Sequence, residues 1–200
     1  LSSFIFITFY FILFFYYNDK IIYLITLIYF LICFEVYANF TKLIKIIFFY
    51  IVISYLSILM YFNFDYNSYQ FTIIILSIIC FDSSCFLFGK IFGKKRIFIK
   101  ISPNKTYEGL LGGIILTNLI SIIVYFNFDI YNTSININVF LFINIVILFS
   151  FFGDLSQSYF KRLSSLKDSS NFLPGHGGFF DRFDSFLLVI IPFSIHNVLF

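Results

Sequence analysis

Apolar runs dominate the chain, and short polar interruptions cut them into segments of membrane-crossing length. A spanning helix needs ~20 mainly apolar residues. Seven segments meet or approach that length: 2–17, 21–39, 44–63, 71–89, 110–127, 138–153 and 185–200. The first and the last two are short. Asn18-Asp19-Lys20 separates the first pair, and Asn63 to Gln70 and Asn127 to Asn138 supply two more connections. The Asn/Ser-rich piece 132–138 reads as a short loop, not a domain linker, and no internal repeat is evident. The predicted fold is all-α: a polytopic integral membrane protein of about seven transmembrane helices with a polar site at one face. Residues 1–70 supply N-terminal helices and 71–200 a C-terminal transmembrane region, as one continuous membrane domain.

Composition strengthens this reading. The chain is 60% hydrophobic, carries 34 Phe and has a mean hydropathy of +0.97. A soluble domain of this size has too little interior to hide so much apolar surface. Cys33, Cys80 and Cys85 lie in or at the ends of apolar segments without a CxxC pair, so neither a disulfide framework nor a zinc site is indicated. The first segment lacks the basic start and small-residue cleavage site of a signal peptide. The chain begins at Leu1, which leaves a fragment with a missing N-terminal helix, or an unusual start codon, as open readings.

Charge sets the orientation. With the N-terminus inside, the loops near 40–44, 90–109 and 154–184 face the cytoplasm. They carry twelve of the thirteen cations, and Lys20 alone falls outside. The two richest loops then share one face, where they can jointly build a site. The expected location is a bacterial inner (cell) membrane, multi-pass, with the site facing the cytoplasm. The cations flank helices and do not form an aromatic-interleaved stripe, so no nucleic-acid partner is expected. Affinity for anionic lipid heads accounts for Lys42 and Lys45.

Gly153 to Ser185 concentrates four Asp (Asp154, Asp168, Asp181, Asp184), four cations (Lys161, Arg162, Lys167, Arg182) and a glycine-rich turn. Charges in or beside a membrane are costly and mark a site. Acids, cations and exposed amides together suit a metal-bound polyphosphate. Asp154, Ser158 and Lys161 stand at i, i+4 and i+7, on one helix face. Pro174, Gly175, Gly177 and Gly178 break the helix and free amides to cradle an anion, and His176 in that turn has a structural or phosphate-contacting role beside acid–base chemistry. Asp181 and Asp184 share a face if helical, at the start of the last span, where Asp184 could alternatively serve as a cap. Upstream, Asp82 near the end of the fourth segment is expensive unless used, and Gly89 and Gly93 allow a close approach or a bend. Ser102 reads as a helix cap before Pro103. Lys105 reads as a phosphate contact, with a simple Lys105–Glu108 pair as the alternative.

The run Ser158-x-Phe160-Lys161-Arg162-x4-Lys167-Asp168-x-Ser170-x2-Leu173-Pro174-x-His176-Gly177-Gly178-Phe179-x-Asp181-Arg182-Phe183-Asp184 resembles the signature of the phosphatidate cytidylyltransferase (CDP-diacylglycerol synthase) family. Asp82-Ser83 with Gly89 and Gly93, and SPNKTYEG at 102–109, are similar to two further family pieces. The likeness covers the C-terminal 120 residues or so. Ser83 stands where the family usually has Thr, Ser84-Cys85-Phe86 where it often has Gly-Ala-Tyr, Tyr107 for a common Trp, and Gln157 for a usual Glu. The last change removes a carboxylate near the implied metal.

The resemblance implies a reaction of CTP with phosphatidate that gives CDP-diacylglycerol and pyrophosphate. It implies Mg²⁺ on Asp154 and Asp181, with a second cation such as K⁺ beside it. It implies catalytic roles for Lys161, Arg162, Asp181, Arg182 and Asp184. Substrate contacts fall to Asp82, Ser102, Lys105, Ser158, Lys167, Asp168, His176, Gly177 and Gly178, and a homodimer is implied as well. A CTP-dependent polyprenol or phytol kinase is the nearest alternative, and the intact Lys-Arg…Lys-Asp…His-Gly-Gly…Asp-Arg run argues against it. A transporter would place charges near mid-span, whereas these sit at one face. An inactive relic is opposed by the complete signature.

Overall fold

The computed structural model describes residues 20–64, 66–127, 139–172 and 177–199. Among them are six helices and one hairpin: α1 (Ile21–Asn39), α2 (Ile44–Phe64), α3 (Ser68–Phe92), β1 (Arg96–Phe98), β2 (Ser102–Thr106), α4 (Tyr107–Asn127), α5 (Val139–Leu163) and α6 (Phe180–Leu199). Helices within 21–39, 44–64, 70–92 and 140–163 are long and apolar enough to cross a membrane. The chain is an integral membrane protein, predominantly helical. The expected span over 2–17 lies outside the described residues.

The chain divides into two compact units, residues 1–68 with 156–200, and residues 69–155. In the first, α2 packs on α1 and α6. Buried Ile47, Ile51, Ser54, Ile58 and Tyr61 repeat along α2 at the three-and-four spacing of one helix face. Ile25, Ile28, Ile32 and Val36 make the matching stripe on α1. Tyr29 and Ser54 share a buried hydrogen bond of 2.5 Å between these helices. Large apolar side chains such as Phe30, Phe34 and Phe49 stay exposed, as expected where lipid replaces water.

In the second unit, glycines bring α4 onto α3. A Cβ on Gly109 would stand 2.7 Å from the Cys85 carbonyl oxygen, and one on Gly113 2.4 Å from Cys85 Sγ. Small residues allow this near-backbone approach between membrane helices. Ser77 and Ser121 hydroxyls meet at 3.0 Å, and Asn144 Nδ2 donates to Asn118 Oδ1 at 3.1 Å, tying α5 to α4. β1 and β2 pair antiparallel, with Arg96 opposite Thr106 and Phe98 opposite Ser102. Glu108 Oε2 accepts the Lys94 and Lys95 amides at 3.0 and 3.2 Å, closing the hairpin base on α4.

Four sequence expectations change. The loop over 90–109 contains this short hairpin within an otherwise helical fold. Ser102 lies in β2 and caps no helix, because the proline after it favours extended backbone. The sixth segment does not end at residue 153. Gly153 alone does not break a helix, and α5 runs to Leu163. There Ser165 takes φ 58°, Ser165 N donates to Arg162 O and Leu166 N to Lys161 O, a Schellman-type end. The last helix starts at Phe180, not 185, so Asp181 and Asp184 are helical.

Candidate active site

In the first unit, polar groups converge on Asp181, in the first turn of α6. Its Oδ1 accepts Lys161 Nζ at 2.7 Å and Gln157 Nε2 at 2.8 Å. Its Oδ2 accepts Ser169 N and Ser169 Oγ, both at 2.8 Å, and Gly178 N at 3.1 Å. Gln157 and Lys161 are four residues apart on α5 and so share a face. A carboxylate offers about four lone-pair sites, so these five donors saturate it. Burial by itself would push the Asp181 carboxyl up. Hydrogen bonds from Lys161 and Gln157, the Lys161 charge and the Ser169 amide outweigh it and hold the group at about 2.

The turn that leads into α6 explains two glycines. Gly177 has φ 77°, a left-handed conformation that suits glycine, and a Cβ there would stand 2.5 Å from Asp181 Oδ2. A Cβ on Gly178 would lie 1.8 Å from Glu35 Oε1 and 2.5 Å from Ser169 Oγ. Glu35 belongs to α1 and is 2% exposed. Its Oε2 accepts Phe179 N at 2.8 Å and Phe180 N at 3.4 Å. Its Oε1 is buried and makes no hydrogen bond of good geometry among the described residues, with the Ser169 hydroxyl the nearest polar group, and Gln157 Oε1 is likewise unpartnered there.

In the second unit, Lys105 on β2 pairs with Asp154 on α5 at 2.7 Å. The Lys105 ammonium also stands 4.5 Å from the centroid of the Phe151 ring, a cation–π contact. Phe151 and Asp154, three apart on α5, thus hold one lysine between ring and carboxylate. The two side chains keep 18% and 31% of their surface accessible. Glu108 sits below the usual carboxylate range, through its own backbone hydrogen bond and those from Lys94 and Lys95.

A carboxylate–ammonium pair beside a turn rich in amides, as Lys161–Asp181 is in the first unit, suits the handling of phosphate groups. A family model described as "Cytidylyltransferase family" matches residues 1–200. The chain belongs to the cytidylyltransferase family. A phosphatidate cytidylyltransferase of Staphylococcus haemolyticus (strain JCSC1435) is 41% identical over 128 residues, 62% of this chain and 46% of that protein. One from Staphylococcus aureus (strain COL) is 40% identical over the same length and shares. One from Staphylococcus epidermidis (strain ATCC 12228 / FDA PCI 1200) is 41% identical over 112 residues, 54% of this chain and 41% of that protein. The chain spans about half the length of the curated relatives it matches.

Against this cytidylyltransferase background the expected site residues sort by place. Lys161, Asp181, Gly177 and Gly178 come together in the first unit, with Ser158 buried on α5. Lys105 and Asp154 come together in the second. The row Asp154–Ser158–Lys161 is helical as expected, but its two ends have different partners, Lys105 and Asp181. The alternative Lys105–Glu108 pair does not form, because Glu108 turns to the Lys94 and Lys95 amides. Arg162, Lys167, Asp168 and Arg182 are exposed, and Arg162 Nη1 donates to Leu166 O at 3.2 Å. Asp82 is exposed on α3, and Ser102 is half-buried on β2. Asp184 Oδ1 accepts the Ser185 amide at 2.7 Å. His176 lies outside the described residues. Glu35 belongs to no motif in the sequence. A lone acid in a 19-residue apolar helix was the available signal.

The cytidylyltransferase resemblance implies magnesium, and the donor chemistry here is compatible with a hard cation. The acids offer carboxylate oxygens, and the buried Oε1 atoms of Gln157 and Glu35, without a hydrogen bond of good geometry among the described residues, are further hard oxygens. At Asp181 the Lys161 ammonium already holds the place of a positive partner. Among the described residues, no three of His, Cys, Asp and Glu gather into a metal-binding group.

Proposed function

We propose that this chain transfers the cytidylyl group of CTP to phosphatidate, giving CDP-diacylglycerol and pyrophosphate. The observation that carries the reading is the convergence of signature residues Lys161, Gly178 and Asp181 on one saturated polar cluster. The staphylococcal phosphatidate cytidylyltransferases supply the choice of substrates. The lipid phosphate is already anionic, so the step needs no strong general base. Its oxygen forms a bond to the α-phosphorus of CTP while the bond to the bridging oxygen breaks in line, and pyrophosphate leaves with that electron pair. Positioning and charge neutralisation do the rest.

Lys161, Arg162 and Arg182 would neutralise phosphate oxygens, and Lys105 and Lys167 would hold the triphosphate or the lipid head. Asp184, Asp82, Ser102, Ser158, Asp168 and His176 would line the substrates, with Gly177 and Gly178 shaping the turn. Asp154 would offer an oxygen for magnesium, and Asp181 would do so on giving up the Lys161 ammonium that now fills its place; the ion's chemistry when bound is to offset charge on the leaving pyrophosphate, and a second cation such as K⁺ belongs to the same proposal. So do a seventh span over 2–17, a cytoplasmic site, a bacterial inner membrane and a homodimer. The cation asymmetry supports the orientation, and the resemblance supports the dimer.

The test is conversion of labelled CTP and phosphatidate to CDP-diacylglycerol in membranes that hold this chain, with and without Mg²⁺, beside Asp181→Asn. Activity that needs magnesium and disappears in the variant is the expected result. Folded parent protein with no product would overturn the reading.

A further inference from the structure

We infer that Glu35 is a positioning residue: from α1 it fixes the turn at 177–180, and through that turn it sets Asp181. Four observations carry this. Glu35 is 2% exposed on a membrane-spanning helix, and one of its oxygens makes no hydrogen bond of good geometry among the described residues. A carboxylate there is expensive, so its retention calls for a role. Its other oxygen accepts the Phe179 and Phe180 amides. These are the donors of the N-cap residue and the first residue of α6, which have no partner inside the helix. Glu35 therefore caps α6 from a helix 144 residues earlier in the chain.

The next link is Gly178. Its amide is bonded to Asp181 Oδ2, and its Cα presses on Glu35 so closely that no Cβ fits. Ser169 lies against the same point and donates to Asp181 Oδ2 through both its amide and its hydroxyl. The two carboxylates thus grip consecutive amides of one turn, Asp181 at 178 and Glu35 at 179 and 180. Release of the second grip frees the turn to move. The Asp181 oxygens then lose their fixed alignment with Lys161 and Gln157 while both side chains remain in place.

The catalytic side of this inference rests on the cytidylyl-transfer reading, and its structural side does not. Hydrogen–deuterium exchange on the full chain in detergent micelles tests the structural side directly. Glu35→Ala should raise exchange of a peptide over 177–183 by roughly tenfold, the scale of a lost helix cap, and leave peptides from α3 unchanged. Cytidylyl transfer tests the catalytic side: kcat should fall by at least about tenfold while KM for CTP moves by less than about threefold. Glu35→Gln keeps an acceptor oxygen and should restore both protection and most of kcat.

Unchanged exchange over 177–183 in Glu35→Ala overturns the positioning role, whatever the activity. If that variant does not accumulate, Glu35→Gln decides: near-parental protection and kcat support positioning. Parental protection with kcat lost overturns it in favour of direct contact with the reactants. A parent without transfer activity overturns the reaction assignment alone, since the exchange result still stands.

Discussion

Two lysine–aspartate pairs of identical length, 2.7 Å, behave as different devices. Lys161–Asp181 is embedded. The two side chains are 13% and 9% exposed, and four further groups donate to the carboxylate. Lys105–Asp154 is more open, at 18% and 31%, and an aromatic face shares the ammonium. Distance alone would rank them equal. Solvation and the number of competing donors separate them: the first is a fixed joint, the second a pair that can trade partners with a phosphate at small cost.

The largest effect should come from removal of the embedded acid. Asp181→Ala leaves Lys161, Gln157 and Ser169 without their acceptor, and a buried charge without its partner costs about 3–5 kcal/mol. Thermal unfolding in detergent should register that loss, together with abolished cytidylyl transfer. A mild result would mean that the joint is not fixed. Gly178→Ala comes next. Its methyl would collide with Glu35 and Ser169, and overpacking of this kind costs about 1–3 kcal/mol, readable in the same unfolding assay. Asp181 also predicts a pH response. Its carboxyl is held at about 2 against an ordinary 3.8, so its contribution, about 2 kcal/mol, is fully present above pH 3.8 and is lost as pH falls through about 2. Acid unfolding curves of parent and Asp181→Asn should converge in that window, and an acid limb of activity near neutrality must belong to another group. The smallest stability change belongs to the open pair. Asp154→Asn should shift unfolding by less than about 1 kcal/mol while lowering transfer by at least about tenfold. A large loss of stability there would erase the contrast between the pairs.

The helices were legible because period and length survive even in a chain so rich in Phe and Ile. The 44–63 segment and α2 differ by one residue at the C-terminal end. Boundaries failed where polar residues sit inside helices: α5 carries Asp154 and Lys161 past the apolar run. The hairpin was hidden because the basic residues Lys94, Lys95 and Arg96 at its start fit a membrane-flanking loop equally well. At the site, Lys161, Gly178 and Asp181 were legible from chemistry and spacing. Glu35 was not, since its partners are backbone amides, which leave no mark on residue identity. In the sequence Gln157 reads only as a lost carboxylate. In place it is a donor, which a glutamate could not be unless protonated.

The long-range cap has a consequence for biogenesis. Glu35 lies in the first described helix and its partner amides in the last, 144 residues later. At ~5–20 residues per second of synthesis, roughly 7–30 s separate their emergence from the ribosome. Over that interval an acid has entered the bilayer whose partners have not yet been made. Helix α1 must therefore wait beside the translocation machinery or in a wet interhelical space, and the docking of α6 is the event that completes the solvation of a residue inserted 144 residues earlier.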